Sequence, residues 1–356
     1  MTPAKRKTIQ DQLLSWYAHH HRDLPWRRTR NPYHIWISEV MLQQTRVDTV
    51  VPFYERFVST FPTFEALAGA SLRSVLKVWE NLGYYSRARN LHKAAHVIVH
   101  EMNGEFPSSM KDLRNLPGIG PYIAAAISSI AFGQVVPAVD GNVKRVLARV
   151  FFIQDPSDDK DVKQQIQDIA NVLVPKHDSG AFNQAVMELG AMICRPRNPR
   201  CRECPINKSC EAFDHGAQDS LPVLLKRHPI PHKEMTAGIM FNQKRQLLVV
   251  QRPNHGLLGG LWKFPGGERM EGDKDLAHTL RRSIREETGI HVRVGKTLHS
   301  VKHTYTHFRI TLFAFQCSRR SGVPIPLDCQ DVLWVKVGDL GQLPMSKADR
   351  KIWELL

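Results

Sequence analysis

Four cysteines, Cys194, Cys201, Cys204 and Cys210, follow the spacing Cys-x6-Cys-x2-Cys-x5-Cys, while Cys317 and Cys329 stand alone far downstream. Clustered thiolates in so short a loop suit Zn2+ or a [4Fe–4S] cluster, and ligand chemistry alone leaves the two open. In a reducing compartment such a cluster means metal and not disulfides. Arg195, Arg197, Arg200, Arg202 and Lys208 surround it and would set positive charge against a polyanion backbone.

Upstream, Leu116-Pro117-Gly118-Ile119-Gly120 separates two helical stretches. A tight glycine turn points backbone N–H groups outward at the start of the next helix, where they can hold a phosphate oxygen without reading sequence. A helix-capping glycine before an ordinary turn would have the same spelling. Two carboxylates complete the set. Glu39 lies among apolar and amide residues in Trp36-Ile37-Ser38-Glu39-Val40-Met41-Leu42-Gln43-Gln44-Thr45. A carboxyl desolvated there would have a raised pKa and serve as a general acid; a surface Glu at a helix edge is the alternative. Asp140, in Val139-Asp140-Gly141-Asn142, stands just before a helix, where Asp is a favoured N-cap.

Helices must position these groups. Residues 36–58, 71–82, 88–102, 124–132 and 143–152 space apolar side chains by three and four, and Pro or Gly interrupts them at Pro62, Gly83, Pro107, Pro117, Pro137 and Pro156. A polar, proline-bearing stretch follows the cysteines and reads as a linker. Beyond it come β-like runs at 238–241, 246–252, 306–315 and 332–337, with one helical stretch at 275–289. The expected organisation is a mostly α domain over 1–225, a linker over 226–235 and an α/β domain over 236–356.

The 356 residues hold two ordinary domains, and 42% hydrophobic content excludes a largely disordered chain. The net charge of +15 suggests an anionic partner, nucleic acid or an acidic membrane; residues 226–356 contribute +10 of it. The most apolar stretch, 122–139, is interrupted by Ser128, Ser129, Gly133, Gln134 and Pro137, so it reads as a buried helix plus loop and not a membrane span. No secretory signal is apparent. A cytoplasmic monomer bound to no membrane is expected.

The paired motifs LPGIG and, twenty residues on, VDGN resemble the helix-hairpin-helix superfamily of DNA base-excision glycosylases, in which this Asp is catalytic. The cysteine spacing is similar to that of endonuclease III and its adenine-specific relatives, which implies a [4Fe–4S] cluster. SEVMLQQT, NLGYYSRARNLHKAA, DGNVKRVLAR and LGAMIC together resemble the A/G-specific adenine DNA glycosylases of the MutY type, from about Leu24 to Cys210. Glycosidic cleavage needs a protonated leaving base and negative charge near an oxocarbenium-like sugar, so two carboxylates of unlike protonation serve it.

The resemblance implies that Glu39 protonates adenine, Asp140 stabilises the sugar cation and Asn142 orients that site. The bifunctional endonuclease III type has a lysine after its hairpin that forms a Schiff base with the sugar. Here Pro121-Tyr122 stands instead, so a monofunctional enzyme is expected, with Tyr122 against the sugar. Leu116, Gly118 and Gly120 would line the phosphate-binding hairpin. Gln44 and Tyr84 match residues that probe and wedge beside the opposing base. Arg27 and Gln184 match residues around the pocket for the extruded adenine.

In the second domain, Gly266-Gly267-Glu268 and Arg285-Glu286-Glu287-Thr288-Gly289-Ile290 resemble the Nudix box, which binds Mg2+ through helix glutamates. Ser283 replaces one of those glutamates, the segment from Gly267 to Arg282 is one residue longer, and Asp273 stands for the acid expected between. No Mg2+ is therefore expected there, and the family role of this domain is to recognise 8-oxoguanine. His303-Thr304-Tyr305-Thr306-His307 matches the recognition loop, with the Thr306 hydroxyl placed to bond the oxidised base and His307 beside it. The expected function is excision of adenine opposite 8-oxoguanine or guanine in duplex DNA. The alternatives are a two-headed enzyme that also hydrolyses oxidised nucleoside triphosphates, and a non-enzymatic damage-binding module.

Overall fold

The computed structural model describes residues 1–225 and 229–356, so residues 226–228 of the expected linker lie outside the described residues. In chain order the helices are α1 (Pro3–His20), α2 (Pro32–Leu42), α3 (Val47–Thr60), α4 (Phe64–Gly69), α5 (Leu72–Val78), α6 (Ser86–Glu101) and α7 (Met110–Leu113). They continue with α8 (Pro121–Ile130), α9 (Gly141–Val150), α10 (Lys160–Leu173), α11 (Ser179–Met192), α12 (Glu211–Asp214), α13 (Leu276–Thr288) and α14 (Lys347–Trp353). The strands are β1 (His232–Met240), β2 (Gln246–Gln251), β3 (Trp262–Lys263), β4 (His291–Thr304), β5 (Arg309–Ser321) and β6 (Asp331–Lys336). No described helix is long and apolar enough to cross a membrane.

The chain divides into two compact units. The first takes residues 1–68 and 93–225 and is helical. Its core gathers Ile9 and Leu13 of α1, Val146 and Val150 of α9, Ile166 of α10 and Phe182 and Leu189 of α11. Local chemistry sets the helix starts. Asn31 Oδ1 accepts from Tyr33 N at 2.9 Å and Pro32 fills the first position of α2. Pro121 does the same for α8 after Gly118, whose φ of 79° needs a glycine. Ile123 through Ser129 of α8 are buried, as the interrupted apolar stretch predicts.

The apolar spacing over 36–58 predicts one helix, and the structure has two. Gln44 takes φ 56°, a left-handed value that no α-helix can carry through, and α3 restarts at Val47.

The second unit takes residues 69–92 and 229–356. The sequence reading put 69–92 with the first domain; here they pack with the C-terminal residues. Arg89 Nη1 donates to Gly259 O at 2.7 Å, and buried Glu80 receives Met345 N at 2.9 Å and the Arg350 guanidinium. Two three-stranded sheets, β1-β5-β4 and β3-β2-β6, form the body, with β1 parallel to β5. Helix α13 covers an apolar layer of Met240, Leu248, Leu280, Ile284 and Phe315. β1 begins at His232, inside the stretch expected as linker, because His232–Met235 pair with Arg309–Leu312 and Pro231 O accepts from Arg309 N at 2.8 Å. The reading also missed β4. Its pairing with β5 shifts register near Val294, Thr297 and His299, which breaks the alternation of two that marks a strand.

Candidate active site

In the first unit, α2, α8, α9 and α11 bring one group of polar side chains together. Glu39 sits on α2 with 5% of its surface exposed. Tyr122, one residue into α8 past Pro121, donates from Oη to Glu39 Oε2 at 2.6 Å and reaches Met187 Sδ on α11 at 3.2 Å. Burial pushes the Glu39 carboxyl up to about 7, against the Tyr122 hydrogen bond and with help from the Asp140 charge. Burial, with the Glu39 and Asp140 charges, raises the Tyr122 phenol well above its ordinary range, so Tyr122 stays a donor.

Asp140 is the N-cap of α9. Its Oδ1 accepts from Val143 N at 2.7 Å and its Oδ2 from Asn142 Nδ2 at 2.8 Å. Burial raises its pKa, while those hydrogen bonds and the Arg145 charge pull it back toward the ionised form. The cap bond uses one carboxylate oxygen and the Asn142 bond the other.

Asn142 is held in turn. Arg145 Nη2 donates to Asn142 Oδ1 at 2.8 Å and to Gly190 O at 2.9 Å, and its Nε donates to Cys194 O at 2.8 Å. Gly190 is a glycine for a steric reason: a Cβ there would meet Asn142 Cβ at 2.7 Å.

Arg27 is not free to roam a pocket. Its guanidinium clamps Glu188 of α11 at 2.7 and 3.0 Å, and Arg22 grips the same carboxylate at 2.8 and 2.7 Å. Burial alone would raise Glu188; the two guanidiniums hold it at about 2. Gln184 lies one turn earlier on α11, half-buried, and donates to Gly180 O at 3.3 Å. Sequence reasoning passed over Arg22, Arg145, Met187, Glu188 and Gly190. Arg145 stands three residues after Asn142, a spacing that puts both on one helical face, and so was within reach.

In the hairpin, Gly118 is exposed, Gly120 caps α8 without a side-chain hydrogen bond and Leu116 is only 4% exposed. The Leu116 side chain thus packs in the core, and the hairpin leaves the first N–H groups of α8 without helical partners. Gln44 is exposed. The four clustered thiols line one apolar cavity with Val146, Val150, Leu189 and Ile206. Arg149, buried, donates to Cys194 Sγ at 3.3 Å and to Arg195 O at 2.7 Å.

In the second unit, Thr306 and His307 are exposed at the tip of the β4–β5 hairpin, whose turn closes through Tyr305 N to Phe308 O at 2.9 Å. Tyr84, at φ 47°, meets Thr306 there, the two hydroxyls 2.5 Å apart.

Residues 37–171 match the HhH-GPD superfamily of base excision DNA repair proteins, and residues 236–355 match the NUDIX domain. The human adenine DNA glycosylase is 35% identical over 99% of this chain and 74% of its own length. The chain belongs to the adenine DNA glycosylase family. A second member, from Buchnera aphidicola subsp. Schizaphis graminum, is 29% identical, with 96% of this chain and 97% of that protein covered. Among solved structures, a thermostable thymine-DNA glycosylase superposes with a TM-score of 0.55 at 32% identity, covering 60% of this chain and 98% of its own. Endonuclease III bound to DNA shares the fold at 24% identity and a TM-score of 0.52. The protein is accordingly a DNA glycosylase, an enzyme that hydrolyses N-glycosidic bonds.

Proposed function

We propose that this glycosylase removes adenine standing opposite 8-oxoguanine, and opposite guanine more slowly, from duplex DNA, acting as a monomer and without cutting the strand. The observation that carries this reading is the Glu39–Tyr122–Asp140 group: one buried carboxyl near pKa 7 beside a second held by two N–H donors.

With Tyr122 on Glu39 Oε2, the other Glu39 oxygen is left to carry the acidic proton. Protonated near neutrality, Glu39 hands that proton to the leaving purine. Asp140 faces the sugar as positive charge develops there, its carboxylate fixed by Val143 and Asn142 so that no reorganisation is needed in the transition state. Water completes the cleavage. Tyr122 stands where the strand-cutting relatives use lysine, and a phenol forms no Schiff base.

DNA would be gripped by the amides of Gly118 through the start of α8, and probed by Gln44 and Tyr84, with Arg27 and Gln184 near the base pocket. Thr306 and His307 would meet the opposing oxidised base. Cys194, Cys201, Cys204 and Cys210 would hold a [4Fe–4S] cluster: the four thiols line the same cavity, and four thiolates are the donor set such a cluster takes. Such a cluster supplies a fixed scaffold for the basic loop beside it. The Arg145 bonds run from Asn142 to the Cys194 carbonyl, so this scaffold and Asp140 are tied by three hydrogen bonds.

The test is free adenine release from duplexes with adenine opposite 8-oxoguanine, guanine or thymine. The reading expects rates in that order and no species trapped by borohydride. Equal rates on all three, or a trapped covalent adduct, would refute it.

A further inference from the structure

The NUDIX match implies Mg2+ at the box around α13, and the donor set there does not fit a divalent ion. Hard cations of this kind need several oxygen ligands, one or two of them free carboxylates. Glu287 has neither oxygen free. Its Oε2 accepts from Gly266 N at 2.9 Å, and its Oε1 is ion-paired with the ammonium of Lys263, only 6% exposed on β3. The same ammonium donates to Gly266 O.

The other acids are also taken. Asp273 receives Arg282 at 2.7 and 2.9 Å, with Thr279 and His278 each at 3.0 Å. Glu286 pairs with Arg282 at 2.8 Å and Glu268 with Lys233 at 2.9 Å. Ser283, buried under Gly267, brings no charge. Each of these four carboxylates thus faces a cationic side chain.

We propose that the Lys263 ammonium is the resident cation of this box, standing where a divalent ion would bind, so that the unit keeps the fold with its metal chemistry replaced by an internal ion pair. The geometry gives the lysine three roles at once. It neutralises Glu287, it ties β3 to the glycine turn, and it fills the space between helix and turn. The turn requires glycine: Gly266 takes φ 145°, and a Cβ there would meet Thr236 O at 2.2 Å. A metal could enter only by expelling a buried ammonium from its carboxylate, which breaks a buried pair.

Mn2+ titration of the full chain, followed by its solution paramagnetic resonance signal, tests this. The reference is Lys263→Met/Glu287→Gln, which swaps the pair for neutral side chains of similar size. The unchanged chain is expected to bind the same number of Mn2+ ions as this reference, and Lys263→Met/Ser283→Glu one more. Adding Mn2+ is expected to raise the melting temperature of that second variant alone. One Mn2+ bound by the unchanged chain and lost in the neutral-pair variant would overturn the proposal. So would Mg2+-dependent hydrolysis of 8-oxo-dGTP by the unchanged chain that disappears in the same variant.

Discussion

Tyr122 donates to Glu39 at 2.6 Å, a bond that couples the residue after the hairpin to the carboxyl of α2. The bond favours the ionised carboxylate, yet burial still carries Glu39 to about 7. Removing the phenol hydroxyl removes a force that pulls this pKa down. In Tyr122→Phe the basic limb of the base-release pH profile is expected to move upward by about half a unit or more. An unmoved limb would mean that another group titrates.

A raised carboxyl has a stability signature. The folded pKa lies above the ordinary value of 4.5, so the folded state binds the extra proton between the two. Stability is therefore lost as pH rises from 4.5 through 7, on the order of 3 kcal/mol in full. Glu39→Gln is expected to melt higher than the unchanged chain at pH 8, and by little at pH 4.5. Thermal scans at the two pH values check this, and a gain independent of pH would contradict it.

Glu188 has the opposite sign. Two guanidiniums hold it at about 2, so its contribution is full above 4.5 and fades as pH falls toward 2. Glu188→Gln strands two arginines around a neutral amide, and a loss of about 3–5 kcal/mol is expected at pH 7. Denaturant unfolding measures it; a loss below about 1 kcal/mol would show that Arg22 and Arg27 find solvent or other partners.

Arg145 acts through Asn142. Arg145→Met should leave Asp140 with its Val143 bond but a loosened Asn142, and lower single-turnover base release by about 10–100-fold. The DNA dissociation constant should change far less. Arg145→Lys, which keeps the charge and loses the fork, should recover only part of the rate. Comparable losses in rate and in binding would point to a general disruption of the fold.

The sequence displayed some of this directly. Asp140 announced itself as a cap, and Glu39 as an acid among apolar neighbours, because both properties are local. The Arg22–Glu188–Arg27 clamp was invisible, since its partners lie 161 to 166 residues apart. Lys263 was equally silent: nothing in a lone lysine beside Phe264 says that it will be buried. The split at Gln44 was missed because apolar spacing continues across it, and only the backbone angle reveals the break. The strand β4 was missed where its register shifts erased the alternation.

The most direct test is single-turnover adenine release from an adenine·8-oxoguanine duplex by the unchanged chain, Glu39→Gln and Asp140→Asn at pH 7. Both variants are expected to fall by about 100-fold or more while still binding the duplex. Glu39→Gln releasing adenine as fast as the unchanged chain would contradict the account.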